Sequence, residues 1–151
     1  MNIIDFLSPP NVLVGVKVAD KEALLRLLAQ RAVAAAGVAE DTILQALRQR
    51  EHLGSTGVGS GIALPHARLV DLQRPVGCFI RLDRPVPFQA VDGKPVDLVF
   101  LLLLPETGGG NLPILAAVAR LLRDPDKAQG LRAAKDARAL YVLLTHGAAQ
   151  G

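Results

Sequence analysis

The residues best suited to chemistry cluster in GSTGVGSGIALPHAR, Gly54 to Arg68. Four glycines fall in its first eight residues, so the stretch reads as a loop rather than a helix or a central strand. Ser55, Thr56 and Ser60 add hydroxyl donors. Gly57, Gly59 and Gly61 lack Cβ atoms, so the backbone N–H groups can come close to an anion or a partner surface. Pro65 fixes the backbone just before His66. An imidazole presented on a stiff loop of small residues can act as a nucleophile at neutral pH. Arg50 lies one helix turn upstream, and its guanidinium suits phosphate oxygens.

Other readings of the same stretch fail on spacing. A P-loop needs G-x-x-x-x-G-K-S/T, and Ser60 follows Gly59 where lysine is required. The dinucleotide fingerprint G-x-G-x-x-G is also missing, and a helix rather than a strand precedes the glycines. His52 ends a helix, where a cation is ordinary, and His146 lies in the tail. Three scattered histidines with no acidic or thiol cluster give no metal-site spacing. Cys78, the only cysteine, sits in an apolar run and reads as a buried small hydrophobe. No Ser-His-Asp or paired-carboxylate arrangement points to a hydrolase.

The elements that must position this stretch follow from periodicity. Val12, Val14, Val16 and Val18 alternate as in a strand. Asp20 can cap the next helix, whose Leu24, Leu25, Leu28 and Ala32 share a face and which Gly37 ends. A second helix is expected from about Glu40 to His52, with Ile43, Leu44 and Leu47 as its apolar stripe. Extending that stripe brings Arg50 and Glu51 to the inward side, where a charged pair costs stability unless partnered. Val76 to Leu82 reads as a strand. Pro85, Pro87 and the Asp92-Gly93 turn break the segment that follows. Val96 to Leu104 is a near-continuous apolar run, as expected of a strand covered on both faces. Asn111 is expected to cap a third helix, with Pro113 in its first turn. Two short helices, about Asp126–Ala133 and Ala137–Leu144, precede a frayed tail over 145–151. Strands interleaved with helices, with no repeat or linker, imply one α/β domain over 1–151, with its core at about 3–144 and a sheet layered between helices.

Composition bounds the function class. The 151 residues are 50% hydrophobic and 21% charged, which is globular composition. There is no Trp and one Tyr, so no stacking surface for single-stranded nucleic acid is expected. The net charge of +3 comes from scattered residues rather than from a basic stripe for duplex. The N-terminus lacks a signal-peptide pattern, and the longest strongly apolar run falls far short of the ~20 residues that span a bilayer. A cytoplasmic protein without membrane insertion is expected.

The run REHLGSTGVGSGIALPHARL, Arg50 to Leu69, resembles the signature of the fructose/mannitol-type enzyme IIA domains of the bacterial phosphotransferase system. FLSPPNVLVGVKVADKEALLRLLAQRA and RPVPFQAVDGKPVDLVFLLLLP are similar to the nitrogen-regulatory branch of that family, and the likeness runs from about Ile3 to Leu144. The resemblance implies an α/β fold with a mixed central sheet between helices. It implies that His66 accepts a phosphoryl group, through Nε2, from a phosphohistidine on a small HPr-like carrier, with no metal and no cofactor. On this reading Arg50 steadies the phosphoryl oxygens, and Ser55 and Thr56 help shape the site. Potassium transporters and regulatory sensor kinases are the downstream partners it implies.

One position departs from the pattern. Family members commonly carry a second histidine just before a Leu-x-x-Leu helix, and the matching residue here is Asn111, in GGGNLPILAAVARLL. Asn111 is read either as a helix N-cap or as keeping part of that histidine's orienting role; asparagine donates a hydrogen bond but carries no charge. Two further readings stand beside the phosphocarrier. One is a binding module of the same fold with phosphorylation impaired. The other is the sugar-specific component of a split fructose/mannitol permease.

Overall fold

Residues Val96–Pro105 form the central strand of the molecule, and the apolar run that marks them in the sequence is buried on both faces. The structure, a computed structural model, describes residues 1–107 and 110–149, with side chains through 146. Its strands are β1 (Val12–Val16), β2 (Gly57–Gly59), β3 (Ile62–Ala63), β4 (His66–Leu69), β5 (Val76–Val86) and β6 (Val96–Pro105). They form one sheet in the order β1-β5-β6-β3-β2, with β4 also paired to β6. β5 runs antiparallel to β6, while β1 is parallel to β5 and both β3 and β4 are parallel to β6. The sheet is therefore mixed. β3 and β4 lie one after the other along the same edge of β6, opposite Leu98–Val99 and Leu102–Pro105 respectively.

Helices cover both faces. On one side, α1 (Lys21–Ala36) and α2 (Glu40–His52) pack on Val76, Cys78, Ile80, Val99, Leu101 and Leu103. On the other, α3 (Asn111–Arg123), α4 (Pro125–Ala133) and α5 (Ala137–Ala149) cover Phe79, Leu98, Phe100 and Leu102. Period-2 alternation along β5 and β6 thus feeds two separate cores. Fully burying each Leu or Phe contributes about 1.5–3 kcal/mol relative to leaving it exposed. Phe79 and Phe100 meet edge to face, with centroids 6.1 Å apart. Cys78 is buried, and burial pushes its thiol pKa up to about 12, so it behaves as a small hydrophobe.

The caps expected of α1 are present. Asp20 Oδ1 accepts from the Ala23 N–H at 2.8 Å, and Gly37, at φ 65°, donates to the Val33 carbonyl at 2.9 Å. α4 is closed by a long-range device: Arg81 Nη1 on β5 donates to the carbonyls of Leu131 and Ala134 at 2.9 and 2.6 Å.

Three expectations are corrected. The glycine-rich stretch is not a loop throughout, because β2, β3 and β4 lie within it. The edge of β6 offers a hydrogen-bonding partner that local glycine content does not reveal, and Pro65 joins in by accepting from the Leu102 N–H at 2.9 Å. The N-cap of α3 is Gly110, at φ 95°, not Asn111. Asn111 is the first helical residue, and its Nδ2 donates to the Pro105 carbonyl at 2.8 Å. Finally, α5 continues through the supposed tail to Ala149. Thr145 is buried there and donates its hydroxyl to the Tyr141 carbonyl one turn back at 2.8 Å. Residues 108, 109, 150 and 151 lie outside the described residues.

Candidate active site

The last turn of α2 sets the site. Ile43, Leu44 and Leu47 bury their side of the helix, and of the two charges that extend the stripe only Glu51 follows it inward. The two charges diverge. Glu51 turns into the protein, where its side chain is 6% exposed and bonds Lys21 Nζ at 2.9 Å and the Thr56 N–H at 3.1 Å. Arg50 turns to the surface. Its Nη1 donates to the Gly54 carbonyl at 2.8 Å, and its Nε lies 3.4 Å from Nε2 of His66.

His66 opens β4, the short strand on the edge of the sheet beside α2. Its Nδ1 lies 2.8 Å from the Leu64 carbonyl. A carbonyl only accepts, so Nδ1 carries the proton and Nε2 holds the lone pair. The Arg50 N–H directed at Nε2 requires the same tautomer. Burial is the main cause holding the His66 pKa below its usual 6.5. The Leu64 bond opposes it, Arg50 lowers the value further, Glu51 raises it, and Arg68 adds a smaller lowering. The ring is therefore neutral at pH 7, with its nucleophilic nitrogen facing a cation.

His66 sits in an open groove of about 890 Å³ between α2, β4 and the start of α3. Arg48, Arg50 and Arg68 supply its charge, and Leu53, Leu112 and Leu115 its apolar surface. Among the described residues, no carboxylate lines it. Leu53 is 84% exposed and Leu112 75%, which leaves two large apolar side chains of the groove in water. Arg48 is held at the rim by Glu22, through Nε to Oε1 at 2.8 Å.

Of the residues singled out in the sequence, the groove brings together Arg50, His66 and Asn111. Ser55, Thr56, Gly57, Gly59, Ser60 and Pro65 do not line it; they form the support behind it. Ser55 Oγ donates to the Phe88 carbonyl at 2.6 Å, and the Thr56 hydroxyl donates to Glu51. The Ser60 N–H donates to Asp92 at 2.9 Å, so that amide is occupied by a carboxylate of the chain itself. The glycines serve close packing rather than an anion cradle. A Cβ on Gly57 would lie 2.8 Å from Ala90 Cβ, and one on Gly61 would lie 2.6 Å from Arg132 Nη2. Arg48, His52, Arg68, Leu53 and Leu112, which the sequence does not single out, also line the groove. Arg68 carried a usable signal, since it follows His66 by two residues on a strand and shares its face. The exposed leucines carried none.

The family model described as "Phosphoenolpyruvate-dependent sugar phosphotransferase system, EIIA 2" matches residues 5–147. A nitrogen regulatory protein of Bradyrhizobium diazoefficiens is 48% identical over 145 residues, covering 95% of each chain. The nitrogen regulatory protein of Escherichia coli K12 is 38% identical over 127 residues, covering 83% of this chain and 78% of that one. The crystal structure of nitrogen regulatory protein IIA-Ntr from Neisseria meningitidis superposes with a TM-score of 0.90 at 32% identity, covering 93% of this chain and 97% of the other. Similarity along nearly the whole length, in sequence and in fold, places the chain in the EIIA type-2 family of the phosphotransferase system, on its nitrogen-regulatory branch.

Proposed function

We propose that this chain is a cytoplasmic phosphocarrier with a regulatory output, accepting a phosphoryl group on Nε2 of His66 from a phosphohistidine on a small HPr-like protein. The observation that carries this reading is the tautomer: Nδ1 is committed to the Leu64 carbonyl and the Nε2 lone pair faces Arg50 in an open groove. In the transfer, the Nε2 pair forms a new N–P bond as the carrier's N–P bond breaks. The released electron pair returns to the carrier's imidazole, and the His66 Nδ1 proton stays in place. Positive charge that develops on the ring is stabilised by the Leu64 carbonyl and nearby Glu51, while Arg50 meets the phosphoryl oxygens. Catalysis is then positioning plus charge stabilisation.

The output follows from charge. Phosphorylation adds up to about two negative charges beside Arg48, Arg50 and Arg68, which changes the surface that a partner meets. Potassium transporters and sensor kinases are the targets that the family resemblance implies. Asn111 favours a second reading, a binding module in which phosphorylation is slow, because its amide is tied to the Pro105 carbonyl and carries no charge. The two readings separate on incubation with phosphoenolpyruvate, enzyme I and the HPr-like carrier. A phosphate mass shift in wild type that is lost in His66→Ala supports the phosphocarrier. No shift with the cognate carrier supports the binding module.

A further inference from the structure

Glu51 takes no bond to the reacting atoms, yet it is the most elaborately held carboxylate near them. Its Oε1 accepts from the Thr56 N–H at 3.1 Å and from Lys21 Nζ at 2.9 Å, and its Oε2 accepts from the Thr56 hydroxyl. Lys21 is fixed in turn by the Phe88 carbonyl at 3.4 Å, by Gln89 Oε1 at 3.3 Å and by the Phe88 ring face at 4.4 Å. A buried ion pair adds little net stability, so its presence here asks for another explanation.

The hydrogen bonds lead from it to the imidazole. Thr56, 5% exposed, is gripped by Glu51 at both its amide and its hydroxyl. The Thr56 carbonyl accepts from the Leu64 N–H at 3.0 Å. The Leu64 carbonyl accepts from Nδ1 of His66 at 2.8 Å. The carbonyl that selects the tautomer of His66 therefore belongs to a residue pinned by Thr56, and Thr56 is pinned by Glu51.

We propose that Glu51 is a positioning residue for His66: acting through Thr56 and Leu64, it locks the imidazole as the Nδ1–H tautomer with Nε2 turned to Arg50 and the groove, while Lys21 holds the Glu51 carboxylate in place. A staple that merely joined α2 to the sheet would leave the ring's tautomer unaffected by the carboxylate.

Nitrogen-15 NMR of the ring in the unphosphorylated protein, above its titration, reads the tautomer directly. In wild type, Nδ1 is protonated and Nε2 is not. In Glu51→Gln and in Thr56→Val, the two signals move toward each other as the Nε2–H form populates, and Thr56→Ser restores the wild-type spectrum. Either variant, folded by its amide spectrum and with an unchanged ring, overturns the proposal. If Glu51→Gln does not fold, the Thr56 pair decides alone. A kinetic arm rests on the transfer proposed above: kcat falls about 10-fold to 100-fold with the carrier KM unchanged. Absence of transfer in wild type refutes that transfer, and the tautomer measurement still decides the role of Glu51.

Discussion

The Nε of Arg50 lies 3.4 Å from Nε2 of His66, and its Nη1 is anchored on the Gly54 carbonyl at 2.8 Å. One arm of the fork fixes the guanidinium while the other faces the nucleophile. A cation so placed favours the neutral ring and stands where phosphoryl oxygens arrive.

Removal of that cation should cost rate and not fold. Arg50→Ala is expected to slow phosphoryl transfer by about 100-fold to 1,000-fold, as loss of one preorganised donor does elsewhere. The Gly54 bond contributes about 1 kcal/mol, so the melting temperature should fall by no more than about 2–4 °C. Rapid-quench kinetics beside a thermal melt checks both; wild-type kinetics in the variant would remove Arg50 from the site.

The ring should titrate below 6.5, because burial disfavours its charged form and Arg50 adds to that. The unfolded chain then binds more protons than the folded one between the two pKa values. Stability therefore rises with pH across that window and declines as pH falls through 6.5. An NMR titration of His66 should place the midpoint under 6.5, with Arg50→Ala moving it up and Glu51→Gln moving it further down. A midpoint at or above 6.5 in wild type contradicts the burial argument.

Leu53 and Leu112 line the groove that holds His66, exposed by 84% and 75%. If they form the carrier's landing surface, Leu53→Asp and Leu112→Asp should each raise the carrier KM about 10-fold, the effect of losing ~1.4 kcal/mol of contact, at unchanged kcat. Stability should stay within about 0.5 kcal/mol, since neither side chain is buried. Steady-state kinetics with varied carrier concentration distinguishes this from a loss of chemistry, which would lower kcat instead.

Gly57 is tight for space rather than for backbone angle. A methyl there would lie 2.8 Å from Ala90 Cβ and 2.9 Å from Ala90 Cα. Gly57→Ala should cost about 1–3 kcal/mol, seen by calorimetry as a fall of about 2–4 °C per kcal/mol. An unchanged melting temperature would mean that the Phe88–Asp92 segment gives way freely.

Much of this was legible in the sequence wherever the signal was local. Asp20 and Gly37 mark the ends of α1, the stripe from Ile43 to Leu47 carries Glu51 inward, and the apolar run at β6 announces a strand covered on both faces. What escaped the reading depends on contacts between distant segments. Glycine content hid the strands β2, β3 and β4, which exist because β6 supplies the partner of β3 and β4, and β3 that of β2. The Lys21–Glu51 pair joins the start of α1 to the end of α2, and no periodicity within either helix shows it. Asn111 has the chemistry of a cap, but Gly110 supplies the positive φ that starts α3 and frees the Asn111 amide to reach Pro105.

The central claim concerns which nitrogen takes the phosphoryl group. Phosphorus-31 and nitrogen-15 NMR of the protein after incubation with phosphoenolpyruvate, enzyme I and the HPr-like carrier reads that atom. The account predicts a single phosphohistidine at His66, bonded through Nε2, with Nδ1 still protonated against the Leu64 carbonyl. Phosphate on Nδ1, on another residue, or no phosphohistidine at all with an active carrier would contradict it.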